Sequence, residues 1–107
     1  MNADKNLLIR ELYKHLKLKF PDDLKDVVLF GSHVSGKEHD DSDFDFLIIL
    51  KNKPDWKRER EISDICYDLD LKYDIITDTL IISEPELSTL RGKQLVFVNA
   101  ILNGIHA

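Results

Sequence analysis

With a single cysteine, Cys66, the chain cannot form an internal disulfide, and nothing in its composition points to secretion. Long apolar runs are missing too: none approaches the roughly 20 residues that span a bilayer. The opening stretch, MNADKNLLIRELYKHLKLKF, is charged throughout and lacks the apolar core of a signal peptide. Positive charge is in short supply. Fifteen Lys and Arg stand against 20 Asp and Glu, a net charge of -5. A domain that holds nucleic acid by neutralising phosphates is usually basic, so nonspecific DNA or RNA binding is disfavoured. Four glycines and three prolines leave no low-complexity linker, and no internal repeat is visible. These absences lead to one cytosolic domain over residues 1–107, large enough for one core but not two. Its 43% hydrophobic and 33% charged composition is that of an ordinary globular protein.

The stretch Gly31 to Asp45, GSHVSGKEHDDSDFD, organises the rest. An apolar strand, Asp26 to Phe30, leads into it and is short enough to be covered on both faces. Gly31 permits a tight turn or close approach to a ligand. If Ser32 to Lys37 forms a helical turn, its backbone N–H groups make an anion site. A second strand follows, Asp43 to Leu50. Alternation puts Asp43, Asp45, Leu47 and Ile49 on one face and Phe44, Phe46, Ile48 and Leu50 on the other. The two carboxylates then stand side by side, roughly 6.5 Å apart at Cα by strand rise. Like charges so placed resist ionising together, and folding gains nothing from them. A divalent cation relieves the repulsion, since Mg²⁺ takes one or two carboxylates and completes its shell with water and phosphate oxygens. Asp40 and Asp41 read as solvated loop residues.

Around this centre the chain reads as follows. Asp4 to Lys19 has the spacing of an amphipathic helix, with Ile9, Leu12, Leu16 and Phe20 on its apolar stripe. Asp4 caps it and Pro21 ends it. His15 is a packed or surface histidine. Pro54 and Asp55 open a second long helix to about Leu69, facing the core with Ile62, Ile65, Cys66 and Leu69. Lys51, Lys53, Lys57, Arg58 and Arg60 form a basic run near its start, read as a solvated face. Leu71 to Thr77 alternates like a strand. It would carry Asp74 in mid-strand, where a carboxylate is expensive to bury unless paired or bound to a cation. Ser83 to Glu86 reads as a capping box, with a short helix to about Leu90. Gln94 to Asn103 is a last helix with Leu95, Val98 and Leu102 on one stripe and Phe97 and Ile101 beside it. Gly104 suits its C′ position, and Ile105 to Ala107 could form a short edge strand.

Gly31-Ser32, ten residues, then Asp43-Phe44-Asp45 resembles the GSx10DxD signature of the nucleotidyltransferase superfamily that includes DNA polymerase beta. Asp74 in YDII resembles the third acidic residue of that family. The ending, FVNAILNGI, is similar to the closing helix of the minimal nucleotidyltransferases. The resemblance implies an α/β (α+β) fold, a small mixed β-sheet with helices packed mainly on one face. It implies two Mg²⁺ ions and ATP or another nucleoside triphosphate. Carried over by position, Asp43 and Asp45 bind both metals. Asp74 binds the catalytic one and assists deprotonation. Gly31 and Ser32 contact the triphosphate. Many members have Ala-Arg-Gly where this chain has Val34-Ser35-Gly36, which leaves Lys37 as the nearest cation for the phosphates. A minimal domain of this kind is usually paired with a helical HEPN protein, an RNase toxin. It neutralises that toxin by transferring AMP to a tyrosine, by forming a complex, or both. The alternative is a catalytically weak module acting as a stoichiometric antitoxin or adaptor. The nucleotide, the acceptor and any homo-oligomer are left open.

Overall fold

The computed structural model describes residues 4–36, 43–89 and 93–107, and of Ser35 the backbone alone. Helix α1 runs from Lys5–Lys19. Asp4 caps it by accepting from the Asn6 N–H. It ends at Phe20, whose φ of -129° and ψ of 62° lie outside the α region that the residue before proline avoids. Strand β1, Leu24–Phe30, starts two residues before the expected Asp26. A single helical turn, α2 at Ser32–Ser35, separates it from β2, Phe44–Leu50. Helix α3 spans Trp56–Tyr73, and β3 spans Thr77–Ser83. The turn α4 at Glu84–Leu87, helix α5 at Leu95–Asn103 and the two-residue β4, Ile105–His106, complete the order.

The four strands form one mixed sheet in the order β3-β2-β1-β4. β1 pairs antiparallel with β2 and with β4, while β2 and β3 are parallel. A parallel pair needs a crossover connection, and α3 provides it. The even and odd positions of β2 feed two separate cores. Phe44, Phe46, Ile48 and Leu50 pack with Leu8, Leu12 and Leu16 of α1 and Ile62, Cys66 and Leu69 of α3. Leu47 and Ile49 pack with Val28, Ile82 and the α5 residues Phe97 and Ala100. The two long helices thus share one face, and α5 lies on the other. Burial pushes the Cys66 thiol up to about 12, so it is inert at neutral pH.

Three local expectations are corrected. The second long helix does not stop at Leu69 but continues to Tyr73, so residues 71–73 are helical and no strand passes through Asp74. Tyr73 extends the apolar spacing of Ile62, Cys66 and Leu69, and its hydroxyl donates to Glu11 of α1. Asp74 ends the helix in the left-handed region at φ 53°, which Asp tolerates better than most residues. The last helix buries Phe97 and Ala100 and leaves Leu95 and Leu102 nearly three-quarters exposed, the reverse of the expected stripe. Gly104 is not left-handed, with φ -77°. A Cβ there would lie 2.4 Å from Val28 Cγ1 and 2.8 Å from the Leu29 carbonyl, so close packing of backbone on β1 is the reason for glycine. The expected capping box holds: Glu86 accepts from the Ser83 N–H and hydroxyl. The helix after it ends at Leu87, and Leu90 lies outside the described residues.

Two polar clasps fasten the sheet near the start of β1. Asp23, buried before β1, accepts from the N–H and side-chain amide of Asn52 and from Arg58 at 2.7 Å. Arg58 also lies over the Phe20 ring, 4.8 Å from its centroid. One member of the basic run therefore has a structural task, not only a solvated one.

At the β4 edge His106 is held through Nδ1 by Asp26 at 2.5 Å and through Nε2 by the Ile101 carbonyl at 2.8 Å. Both partners are acceptors, so the doubly protonated ring satisfies both. The hydrogen bond to Asp26 first, then that to Ile101, holds the imidazole above its usual range. A raised folded pKa gives stability that is complete below the unfolded value near 6.5 and fades as pH rises through the folded one. The melting temperature of the parent should therefore fall, relative to His106→Gln, as pH goes from 6 to 8. The pair is partly exposed, so the difference is under about 1 kcal/mol. Equal pH profiles in the two proteins would show that the clasp contributes nothing.

Candidate active site

The end of β1 and the start of β2 lie side by side, with Phe30 paired to Asp45. On the other side Asp45 is paired in parallel register with Asp78 of β3, and Phe44 with Thr77. Paired residues in a ladder point to the same face. Asp45 and Asp78 therefore share the α5 face of the sheet at the end where β2 begins, and Asp43 lies just before that end. Their electrostatics agree with this placement. Burial first, then Asp78, then Asp43 raise the half-buried Asp45 carboxyl above the usual range, and His33 opposes them. Asp70, near the end of α3, is raised by burial and by Asp43, although its carboxylate accepts from the Thr77 N–H at 3.0 Å.

Gly31 closes this arrangement. It is left-handed, with φ 81° and ψ -152°, a combination essentially confined to glycine. A Cβ on Gly31 would fall 2.1 Å from Asp45 Oδ2. The turn that starts at Ser32 is thus pressed directly against the carboxylate row. The Gly-Ser turn and the Asp43–Asp45 strand, ten residues apart in sequence, are in contact in space. Lys37 lies outside the described residues.

Asp74 does not join the row. It is exposed at the C-terminal end of α3, and the pairing brings Asp78 to Asp45 instead. The burial cost that singled out Asp74 does not arise for an exposed carboxylate. In the sequence Asp78 falls at a turn-like end and reads as a surface residue. The available signal was alternation, because Asp78, Leu80 and Ile82 repeat at the same spacing as Asp45, Leu47 and Ile49. A shallow cleft of about 210 Å³ between α1 and α3, lined by Glu11, Leu12, His15, Asp68, Leu69 and Lys72, is on the opposite face of the sheet.

Among the described residues no three His, Cys, Asp or Glu side chains close up into a ready-made metal cage. The donor chemistry nevertheless fits a cation such as Mg²⁺. That ion needs only one or two protein carboxylates and fills its octahedron with water and substrate oxygens. Burial first, then Asp78 and Asp43, raise the Asp45 carboxyl, and a bound cation would offset all three.

A glycine turn packed against a carboxylate row on adjoining strands is the kind of site that serves phosphoryl or nucleotidyl transfer. The chain belongs to the nucleotidyltransferase domain family, whose model matches residues 9–99. Two proteins of Methanocaldococcus jannaschii, both provisionally named as protein adenylyltransferases, are similar to it. One is 36% identical over 74 residues, 69% of this chain and 75% of that protein. The other is 31% identical over 102 residues, 94% of this chain and 65% of that protein, just under two thirds of its length. Among solved structures, a MntA–HpeT toxin–antitoxin crystal structure superposes with a TM-score of 0.56 at 19% identity, covering 97% of this chain and 72% of that one. A tri-AMPylated Shewanella oneidensis HEPN toxin in complex with its MNT antitoxin gives a TM-score of 0.55 at 20% identity, covering 96% and 71%. A toxin–antitoxin structure with AMP-PNP gives 0.54 at 22% identity, covering 90% and 69%. At these identities the likeness shows the fold. The mixed sheet expected from the sequence is therefore the nucleotidyltransferase one.

Proposed function

We propose that this nucleotidyltransferase, acting as a single domain, moves the adenylyl group of ATP to a protein hydroxyl. We further propose that the acceptor is a tyrosine of a HEPN-type helical toxin that it restrains. The observation that carries the reading is the half-buried Asp45, paired with Asp78 and covered by Gly31, its carboxyl raised by burial and then by Asp78 and Asp43. Such a cluster costs stability in the free protein and suits a divalent cation that would itself take phosphate oxygens. The names of the Methanocaldococcus jannaschii relatives support adenylyl transfer. The neighbours solved with AMP-PNP and with an AMPylated HEPN toxin support the nucleotide and the partner.

In this reading Asp43, Asp45 and Asp78 would hold the metal, and Gly31 and Ser32 would lie against the triphosphate. Lys37 remains the proposed additional phosphate contact. Mg²⁺, when bound there, neutralises the phosphate oxygens and lowers the pKa of the attacking hydroxyl. The acceptor oxygen bonds to the α-phosphorus of ATP and the bond to the leaving pyrophosphate breaks. The hydroxyl proton passes to a carboxylate, for which Asp78 is placed on the neighbouring strand. The protein's part is positioning and charge, as in phosphoryl transfer generally.

The test is incubation with α-labelled ATP, Mg²⁺ and the HEPN-type protein encoded beside this one. One adenylyl group should appear on the partner by intact mass. Asp78→Asn should slow transfer about a hundredfold or more, while Asp74→Asn should stay within about threefold of the parent. The opposite ranking would restore Asp74 as the third carboxylate. A stable complex without transfer would make the chain a stoichiometric antitoxin.

A further inference from the structure

The turn that carries Ser32 is four residues long and has no side-chain cap at its N-terminal end. Its backbone bonds include Val34 N–H to the Gly31 carbonyl at 3.1 Å and Gly36 N–H to the Ser32 carbonyl. One turn of helix is too short to hold its own orientation. Two ties that fix it to the rest of the protein pass through His33. The imidazole lies flat on the Phe44 ring, centroids 3.7 Å apart and planes within 10°. The His33 carbonyl accepts from Lys5 Nζ of α1 at 3.1 Å, across 28 residues of chain.

Phe44 is the residue between Asp43 and Asp45. Phe44 is itself buried, 7% exposed, in the α1–α3 core, on the face opposite Asp45. It is a rigid anchor on the strand that carries the acids. A ring packed flat against it converts any shift of the Ser32 turn into a lost contact. His33 is also near enough to Asp45 to oppose that carboxyl's uptake of a proton. We propose that His33 is a positioning residue, and that its stack on Phe44 sets the spacing between the Ser32 turn and the Asp43–Asp45 strand. Lys5 holds the other side of the same residue. The inference rests on the nucleotidyltransferase reading of the site. It adds a residue that keeps the phosphate-contacting turn and the acidic strand in register. The role needs a flat ring, not a charge.

The experiment compares His33→Ala, His33→Phe, His33→Lys and Lys5→Met with the parent. The first readout is amide hydrogen exchange of Val34 in the free protein. The second is the Kd for ATP with Mg²⁺ by calorimetry, and the third is melting temperature. His33→Ala should exchange the Val34 amide and lose ATP affinity by about tenfold each, with a melting temperature within a few degrees of the parent. His33→Phe should restore both to within about twofold, and His33→Lys neither. Lys5→Met should move in the same direction by less. Restoration by Lys and not by Phe would overturn the proposal in favour of a phosphate-contacting cation. Parent-like behaviour of His33→Ala, or a fall in melting temperature with unchanged exchange and affinity, would overturn it in favour of a merely structural stack. A parent that binds no ATP would overturn the transferase reading itself, and this inference with it.

Discussion

Asp45→Asn should abolish nucleotidyl transfer, by about a thousandfold or more, and at the same time make the free protein more stable. The two effects have one cause. Asp45 lies between Asp43, just before β2, and Asp78 on the next strand, partly withdrawn from water. Its folded pKa is raised above the ordinary 3.8, so the native state holds that proton more tightly than the unfolded chain does. The stability it contributes is present below pH 3.8 and is lost as pH rises through the folded value. At neutral pH the ionised group is therefore a burden on the free protein. Asn keeps the shape and removes the charge. About 1 kcal/mol corresponds to roughly 4–8 °C in a domain of this size, so relief of a few tenths should raise the melting temperature by about 1–3 °C. Calorimetry of parent and variant at pH 7, without metal or nucleotide, measures it. At pH 3 the gap should close. A variant less stable than the parent at pH 7 would mean that Asp45 is held by favourable contacts, and that its acidity has no cost for a ligand to relieve.

Gly31→Ala should be both less stable and inactive. Backbone near φ 81° and ψ -152° costs a non-glycine residue about 1–3 kcal/mol. The new methyl would also fall 2.1 Å from Asp45 Oδ2 and 3.1 Å from Asp45 Cγ. One of the two must move, and the carboxylate is the atom group the site needs in place. A melting temperature lower by about 5–15 °C is expected, with transfer down about a hundredfold. A double-mutant cycle separates strain from collision. In an Asp45→Ala background the carboxylate is gone, so Gly31→Ala should destabilise clearly less than it does in the parent. Equal costs in both backgrounds would show that backbone strain alone explains the glycine.

How far these residues could be read from the sequence depends on how local the decisive geometry is. Asp43 and Asp45 were legible because strand alternation is a property of neighbouring residues and needs no partner. Gly31-Ser32 was legible through its spacing to them. The contact between Gly31 and Asp45 was not, because it depends on how β1 and β2 pair. That Asp78, and not Asp74, is the residue paired with Asp45 was hidden for the same kind of reason. A run such as LKYDIIT alternates well enough to pass for a strand, while Ile62, Cys66, Leu69 and Tyr73 continue a helix through it. The packing of Tyr73 against α1 decides for the helix. Asp74 is then left at an exposed helix end, and the strand that reaches Asp45 starts three residues later.

The last helix shows the limit of periodicity in another form. LVFVNAILN is apolar on nearly every side, so no stripe stands out. Phe97 and Ala100 are buried because those are the positions that meet Val28, Leu47 and Ile82 on the sheet. By itself the sequence determined the charge balance, the order of the elements, the acidic start of β2 and its separation from the Gly-Ser turn. All of these are short-range or compositional. Only the tertiary structure decided which aspartate completes the row, which face of α5 is covered, and that Gly31 and His33 bind the turn to the acidic strand. Each is set by strand register and by contacts between residues far apart in the chain, where local propensity carries no information.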